Sequence, residues 1–183
     1  MKVAIFGGAS AKPGDQSYLD AQHLGGLLGS QGWTVMTGGY IGIMEAASRG
    51  ACEAGGHVIG VTCSEIEKYR DTKANQWVME EWSYTTLRER MYSLIDNCDA
   101  AVVMPGGVGT LTELAAMWNE LIVNGKKPRP LILVGQDWQR AISQFFDLFG
   151  GYIGVKEREL IQIVPDVDAA FEILKSIINT SSY

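Results

Sequence analysis

Short apolar runs, each of strand length and three of them followed by glycine-rich loops, are the strongest constraint on what this chain can fold into. They are VAIF at 3–6, WTVMT at 33–37, HVIGVT at 57–62, AAVVM at 100–104 and LILV at 131–134. Most lack the polar alternation of a strand with one wet face, so they read as strands covered on both sides. Helical spacing lies between them, as in Tyr18, Ala21, Leu24 and Leu28, and again in Phe171, Leu174, Ile177 and Ile178. Strand then helix, repeated, predicts a Rossmann-like α/β fold, a parallel sheet with helices on both faces. At 183 residues and 46% hydrophobic, positions 1–183 suit a single domain. The stretch 63–84 reads as a variable connection with a further strand, ending in EEW before a helix at Thr85, and 150–160 reads as a loop.

The glycines follow strands: FGGAS after the first, TGGYIGIM after the second and MPGGVGT after the run at 100–104. In an open parallel sheet the loops after strand ends share one edge, where ligands bind. Glycine lets backbone N–H groups approach a ligand, and the start of the following helix favours an anion. One such loop is an ordinary turn; three on one edge point to a ligand carrying a phosphate or similar anion. The candidate contacts are Gly8, Ser10, Gly39, Gly42, Gly106, Gly107, Gly109 and Thr110. Met44 and Glu45, opening the helix after the second loop, are candidates to reach a base or ribose, although an acid at a helix start also suits the dipole.

Familiar phosphate binders can be excluded. A dinucleotide site needs GxGxxG after the first strand and an acid ending the second, but the chain has GGASAK and Thr37-Gly38-Gly39. A P-loop needs GxxxxGK and then Ser or Thr, but Gly125-Lys126 is followed by Lys127-Pro128. A pyridoxal-phosphate lysine has one candidate near the glycine loops, Lys12, with no motif around it. The net charge of −6, with basic residues scattered, argues against nucleic-acid polymers. No opening apolar run is long enough for a signal or a membrane span, and Cys52, Cys63 and Cys98 lack CxxC spacing, which reads as a cytoplasmic protein with reduced thiols.

In MPGGVGTLTEL, Pro105 closes the strand, the glycines turn the chain and Thr110 can begin a helix. Thr110-Leu-Thr-Glu113 has the spacing of a capping box, and spacing alone favours that reading of Glu113. Arg90 complicates it. On the helix from Thr85 to about Cys98 it lies on or beside the apolar stripe of Leu87, Met91, Leu94 and Ile95. A charge there needs a partner or a cleft, unless it snorkels at the stripe's margin. Arg88 and Glu89 read as solvated positions, His23 and His57 as solvated or structural, and Met117 and Trp118 as core.

The nine residues Pro105-Gly-Gly-Val-Gly-Thr-Leu-Thr-Glu113 match PGGxGTxxE, and with IFGGAS and GGYIGIMEAASRGACEAGGHVIGV at 38–61 the chain resembles the LOG family of cytokinin riboside 5'-monophosphate phosphoribohydrolases. The resemblance implies hydrolysis of the N-glycosidic bond of a nucleoside 5'-monophosphate to free base and ribose 5-phosphate, with no metal or cofactor. Its catalytic pair falls on Arg90 and Glu113, its phosphate cradle on Gly106 to Thr110, and its assembly is a homodimer with the cleft near the subunit interface. The substrate it implies is a purine nucleotide, AMP or an N6-modified AMP.

The chain also departs from the pattern. Arg90-Met91 stands where the family usually has Arg-Lys, Arg88 where a histidine is frequent, Thr112-Glu113 where Glu-Glu is common, and GGAS where CGSS is usual. Molybdenum cofactor carrier proteins resemble the same fold and hallmark, so a non-catalytic pterin carrier is the alternative.

Overall fold

The computed structural model describes residues 1–124 and 129–180, the last three as backbone only. In chain order the elements are β1 (Lys2–Phe6), α1 (Gln16–Ser30), β2 (Thr34–Thr37), α2 (Ile43–Glu53), β3 (Val58–Cys63), α3 (Ser64–Arg70), β4 (Glu80–Tyr84) and α4 (Leu87–Asp96). There follow β5 (Ala100–Val103), α5 (Val108–Asn124), β6 (Leu131–Val134), α6 (Gln136–Phe149), a 3-10 turn (Gly150–Tyr152), α7 (Val155–Arg158), β7 (Ile161–Val164) and α8 (Val167–Thr180).

All seven strands run parallel in the order β4-β3-β2-β1-β5-β6-β7, the expected Rossmann-like α/β architecture. Successive strand residues point to opposite faces, and both faces are covered. Val3, Ile5, Val35, Val102 and Ile132 pack under α1, α2 and α8, while Ala4, Phe6, Met36, Val103 and Leu133 pack under α4, α5 and α6. The chain builds outward from β1 to β4, then returns to place β5 on the other side of β1, with Phe6 level with Val103. That reversal makes the gap beyond β1 and β5 the switch point of the sheet, where ligands of such folds bind.

Most runs appear where they are expected, β3 being shifted one residue later. The strand expected within 63–84 is β4, preceded by the short α3. Two readings change and one strand is added. Residues 150–160 are not a plain loop: Glu157 accepts the Gly154 N–H at 2.8 Å, and Arg158 donates to Gly150 and Ile153 carbonyls, which winds the segment into the 3-10 turn and α7. Strand β7, IQIV, carries the exposed Gln162 and so lacks a continuous apolar run. Helix α4 starts at Leu87 behind the cap Thr86. The Gly125-Lys126-Lys127-Pro128 stretch and the side chain of Ile178 lie outside the described residues.

Glycine decides how closely α1 and α2 approach. A Cβ at Gly25 would sit 2.2 Å from the Ala47 carbonyl oxygen, whereas one at Gly26 would meet nothing nearer than Gly50 O at 3.7 Å. Gly25→Ala is therefore expected to destabilise the fold by about 1–3 kcal/mol through overpacking. Gly26→Ala, one residue on, should stabilise it by about 0.5–1 kcal/mol through helix propensity. Urea midpoints of the two variants measured side by side check the sign difference.

Candidate active site

The loops after β1, β2 and β5 are tied together at Gly8. Its N–H donates to Pro105 O at 3.0 Å, and its carbonyl accepts the Ile43 N–H at 3.0 Å. Gly42 has a φ of +76°, and a Cβ there would lie 2.5 Å from Gly8 O, so only glycine passes. Gly106 packs as tightly, since a Cβ on it would meet Thr110 Oγ1 at 2.1 Å. The loops that carry the expected glycines thus meet at one edge, joined by these hydrogen bonds.

Against this edge lies an open pocket of about 450 Å³, lined by Gly8, Ser10, Asp15 and Ser17 on one side and Pro105, Gly106 and Gly107 on the other. Helix α5 begins at its rim, its first turn opened by the bond from Leu111 N–H to Gly107 O. The N–H groups of Val108, Gly109 and Thr110 have no intrahelical acceptors and supply donors for an anion. A Cβ at Gly107 or Gly109 would meet no protein atom within 4 Å, so packing does not require glycine at either position.

This start overturns the capping-box reading of Glu113. With α5 opening at Val108, Thr110 is inside the first turn and 3% exposed, too late to be the cap. A capping box forms instead on α4, where Thr86 Oγ1 accepts the Glu89 N–H at 3.2 Å and Glu89 accepts the Thr86 N–H at 2.9 Å. Glu89 is exposed as expected, but it caps a helix, and those hydrogen bonds hold its carboxyl below the usual range.

Arg90 points inward, 5% exposed. Its Nε donates to Val61 O at 2.7 Å, one terminal nitrogen lies 3.9 Å from Met44 Sδ, and the other lies 3.6 Å from Glu113 Oε1. The last distance is a charge contact rather than a direct hydrogen bond. Glu113 is itself mostly shielded, and burial raises its pKa to about 7 although Arg90 pulls the other way. A carboxyl near neutrality beside a fixed cation can take or release a proton at working pH.

The structure brings Arg90, Glu113 and Met44 together, and groups Gly8, Ser10, Gly106 and Gly107 at the pocket. Gly39 lies behind, its carbonyl accepting from Asn75, and Glu45 faces α1, accepting from Tyr18 Oη at 3.3 Å. His23 and His57 stand 2.9 Å from Asp168 and 3.3 Å from Glu80 on the surface, outside this site. Gly38 and Tyr40 are contributors that spacing does not reveal: a Cβ at Gly38 would lie 1.7 Å from an Arg90 nitrogen, and the Tyr40 ring faces the guanidinium at 5.6 Å. The signal available for them is their place beside the loop glycines. Among the described residues no cluster of His, Cys, Asp or Glu has the makings of a metal site, and no helix is long and apolar enough to cross a membrane.

A profile of the SLOG cluster4 family matches residues 1–145. The chain belongs to that family. It is 30% identical over 176 residues to the cytokinin riboside 5'-monophosphate phosphoribohydrolase of Mycobacterium tuberculosis, covering 92% of this chain and 90% of that one. It is 32% identical over 170 residues to the enzyme of that name from Oryza sativa subsp. japonica, covering 90% and 68%. The expected relation to the LOG enzymes is thus borne out. Among solved structures, the molybdenum cofactor binding protein of Rippkaea orientalis superposes with a TM-score of 0.76 at 25% identity, over 97% of this chain and 96% of that one. The molybdenum cofactor carrier protein of Chlamydomonas reinhardtii, at 0.72 and 23% over 97% and 98%, shares the fold.

For this SLOG protein the shift at Glu113 predicts a pH signature in stability. Between its ordinary 4.5 and about 7 the folded chain keeps a proton that the unfolded chain has released, so Glu113 contributes less stability as pH rises through that window. Glu113→Gln should therefore gain stability relative to the parent from pH 5 to 7 and hold a constant difference above about pH 8. Thermal melts of both proteins across this range test it; a difference independent of pH would mean that the carboxyl titrates normally.

Proposed function

We propose that this chain hydrolyses the N-glycosidic bond of purine nucleoside 5'-monophosphates, AMP or an N6-modified AMP, giving free base and ribose 5-phosphate. The observation that carries the reading is the shielded Arg90–Glu113 pair on the helices flanking β5, next to a glycine edge with spare N–H donors. Kinship with phosphoribohydrolases supports the substrate class.

In this reading the 5'-phosphate sits on the first-turn N–H groups of α5, beside Gly106 and Gly107, with Gly8 and Ser10 across the pocket. Fixing the phosphate places the ribose, turning the attack of water into a positioned step. As the bond from C1' to the base nitrogen lengthens, positive charge grows on the sugar, and the Glu113 carboxylate stabilises it. Water supplies the hydroxyl that joins C1', Glu113 takes the proton this releases, and the same proton passes to the departing base, which leaves Glu113 ionised again. Arg90 favours the ionised form of Glu113, while Met44 borders the guanidinium.

Free base released from AMP and from N6-isopentenyl AMP, followed by chromatography, tests the reading. Glu113→Gln should lower kcat by at least about 100-fold. Activity of the parent should rise with pH on a limb centred near 7, as Glu113 ionises. Absence of base release from both nucleotides would move the assignment to a molybdenum cofactor carrier, a role supported by the likeness to the Rippkaea protein, with a bound pterin as its mark.

Gly109→Ala gives a second check. It adds a methyl group in open space on a helix, so stability should rise by about 0.5–1 kcal/mol. The same methyl crowds the proposed phosphate, and KM for AMP should rise about tenfold, the equivalent of 1.4 kcal/mol. An unchanged KM in the stabilised variant would put the phosphate elsewhere.

A further inference from the structure

Strand β2 ends at Thr37, level with Gly60, yet β3 runs on to Cys63. In a parallel ladder alternate residues address the same neighbour. His57 O already accepts the Val35 N–H at 2.9 Å, so Val61 and Cys63 present their backbone groups to the same side, beyond the point where β2 stops. Val61 and Cys63 are both fully buried, and unpaired backbone groups there are costly.

Two side chains take the place of the missing strand. Arg90 Nε donates to Val61 O at 2.7 Å. The Tyr40 hydroxyl donates to Cys63 O at 3.1 Å and accepts the Cys63 N–H at 2.8 Å. Tyr40 is 1% exposed, and its ring lies 5.6 Å from the guanidinium carbon, within reach of a cation–π attraction. Its backbone is clamped as well, because Asn75 Nδ2 donates to Gly39 O at 3.0 Å and Tyr40 O at 2.8 Å. Gly38 leaves the space that one guanidinium nitrogen fills. Held on these sides, Arg90 directs its remaining terminal nitrogen at Glu113.

We propose that Tyr40 is a positioning residue, whose ring, braced on β3 through its hydroxyl, holds the Arg90 guanidinium in line with Glu113. The kinetic consequence rests on the hydrolase reading; the placing of Arg90 does not. Phenylalanine at this position would keep the ring but release Cys63, and leucine would also remove the π face.

The test is the titration of the Glu113 carboxyl, followed by carbon NMR in protein labelled at glutamate Cδ and assigned by the signal lost in Glu113→Gln. Because a well-placed Arg90 favours the carboxylate, loosening it should raise the midpoint by about one unit in Tyr40→Leu and by less in Tyr40→Phe. In turnover of AMP, kcat should fall about tenfold in Tyr40→Phe and further in Tyr40→Leu, with KM within about twofold because Tyr40 does not line the phosphate pocket. A folded Tyr40→Leu that keeps the parental midpoint overturns the role, and if that variant does not fold, a parental midpoint in Tyr40→Phe does so. If the parent releases no base, the hydrolase reading fails by itself, and the carboxyl titration still decides what Tyr40 does.

Discussion

The site is organised around a guanidinium that has been taken out of water. Arg90 projects from α4 into the carboxyl edge of the sheet, and a cation there must be solvated by the protein. A carbonyl, a thioether sulfur, an aromatic face and a carboxylate share that task, and they come from β3, α2, the loop after β2 and α5. Each of those four elements therefore has a stake in where the guanidinium lies. Gly38 belongs to the same constraint, because no larger residue leaves the cation its place.

Such an arrangement is a poor route to stability. Burial drives the Glu113 pKa upward even with Arg90 beside it, so desolvation outweighs the attraction of the pair. Replacing buried ion pairs with apolar residues is often neutral or stabilising, and α4 and α5 already meet the sheet through Leu94, Ile95, Leu114 and Met117. Cost at one point amid otherwise well-satisfied packing is the pattern of a functional site.

Much of this was legible in the residues because local and global preferences agree. VAIF, AAVVM and LILV are buried on both faces and read as strands without tertiary knowledge. Arg90 stands out in the sequence because a charge on an apolar stripe is a local conflict of the kind found at functional sites. IQIV is obscure because an edge strand tolerates the exposed Gln162. Thr110 and Glu113 have capping-box spacing, yet the helix opens earlier, at a glycine that needs no side chain to begin it. Tyr40 and Asn75 escape notice for another reason. Their partners stand 23 and 35 residues away, brought near only by the tertiary fold.

The unequal lengths of β2 and β3 explain how one sheet edge holds both a glycine-lined pocket and a charged pair. If β2 extended alongside the end of β3, backbone bonds would occupy Val61 and Cys63, and Arg90 would lose its acceptor. Stopping β2 at Thr37 and turning through glycine instead frees the strand end to receive side chains while the loop crosses toward Gly8. The pocket beside β1 and β5 and the charged pair beside β3 are therefore coupled through the short segment from Gly38 to Ile43. Gly38 opens space for the guanidinium, Tyr40 faces it, and Ile43 N–H closes the segment on Gly8, whose own N–H holds Pro105 at the pocket wall. Bonds within the fold thus join the pocket wall to the charged pair.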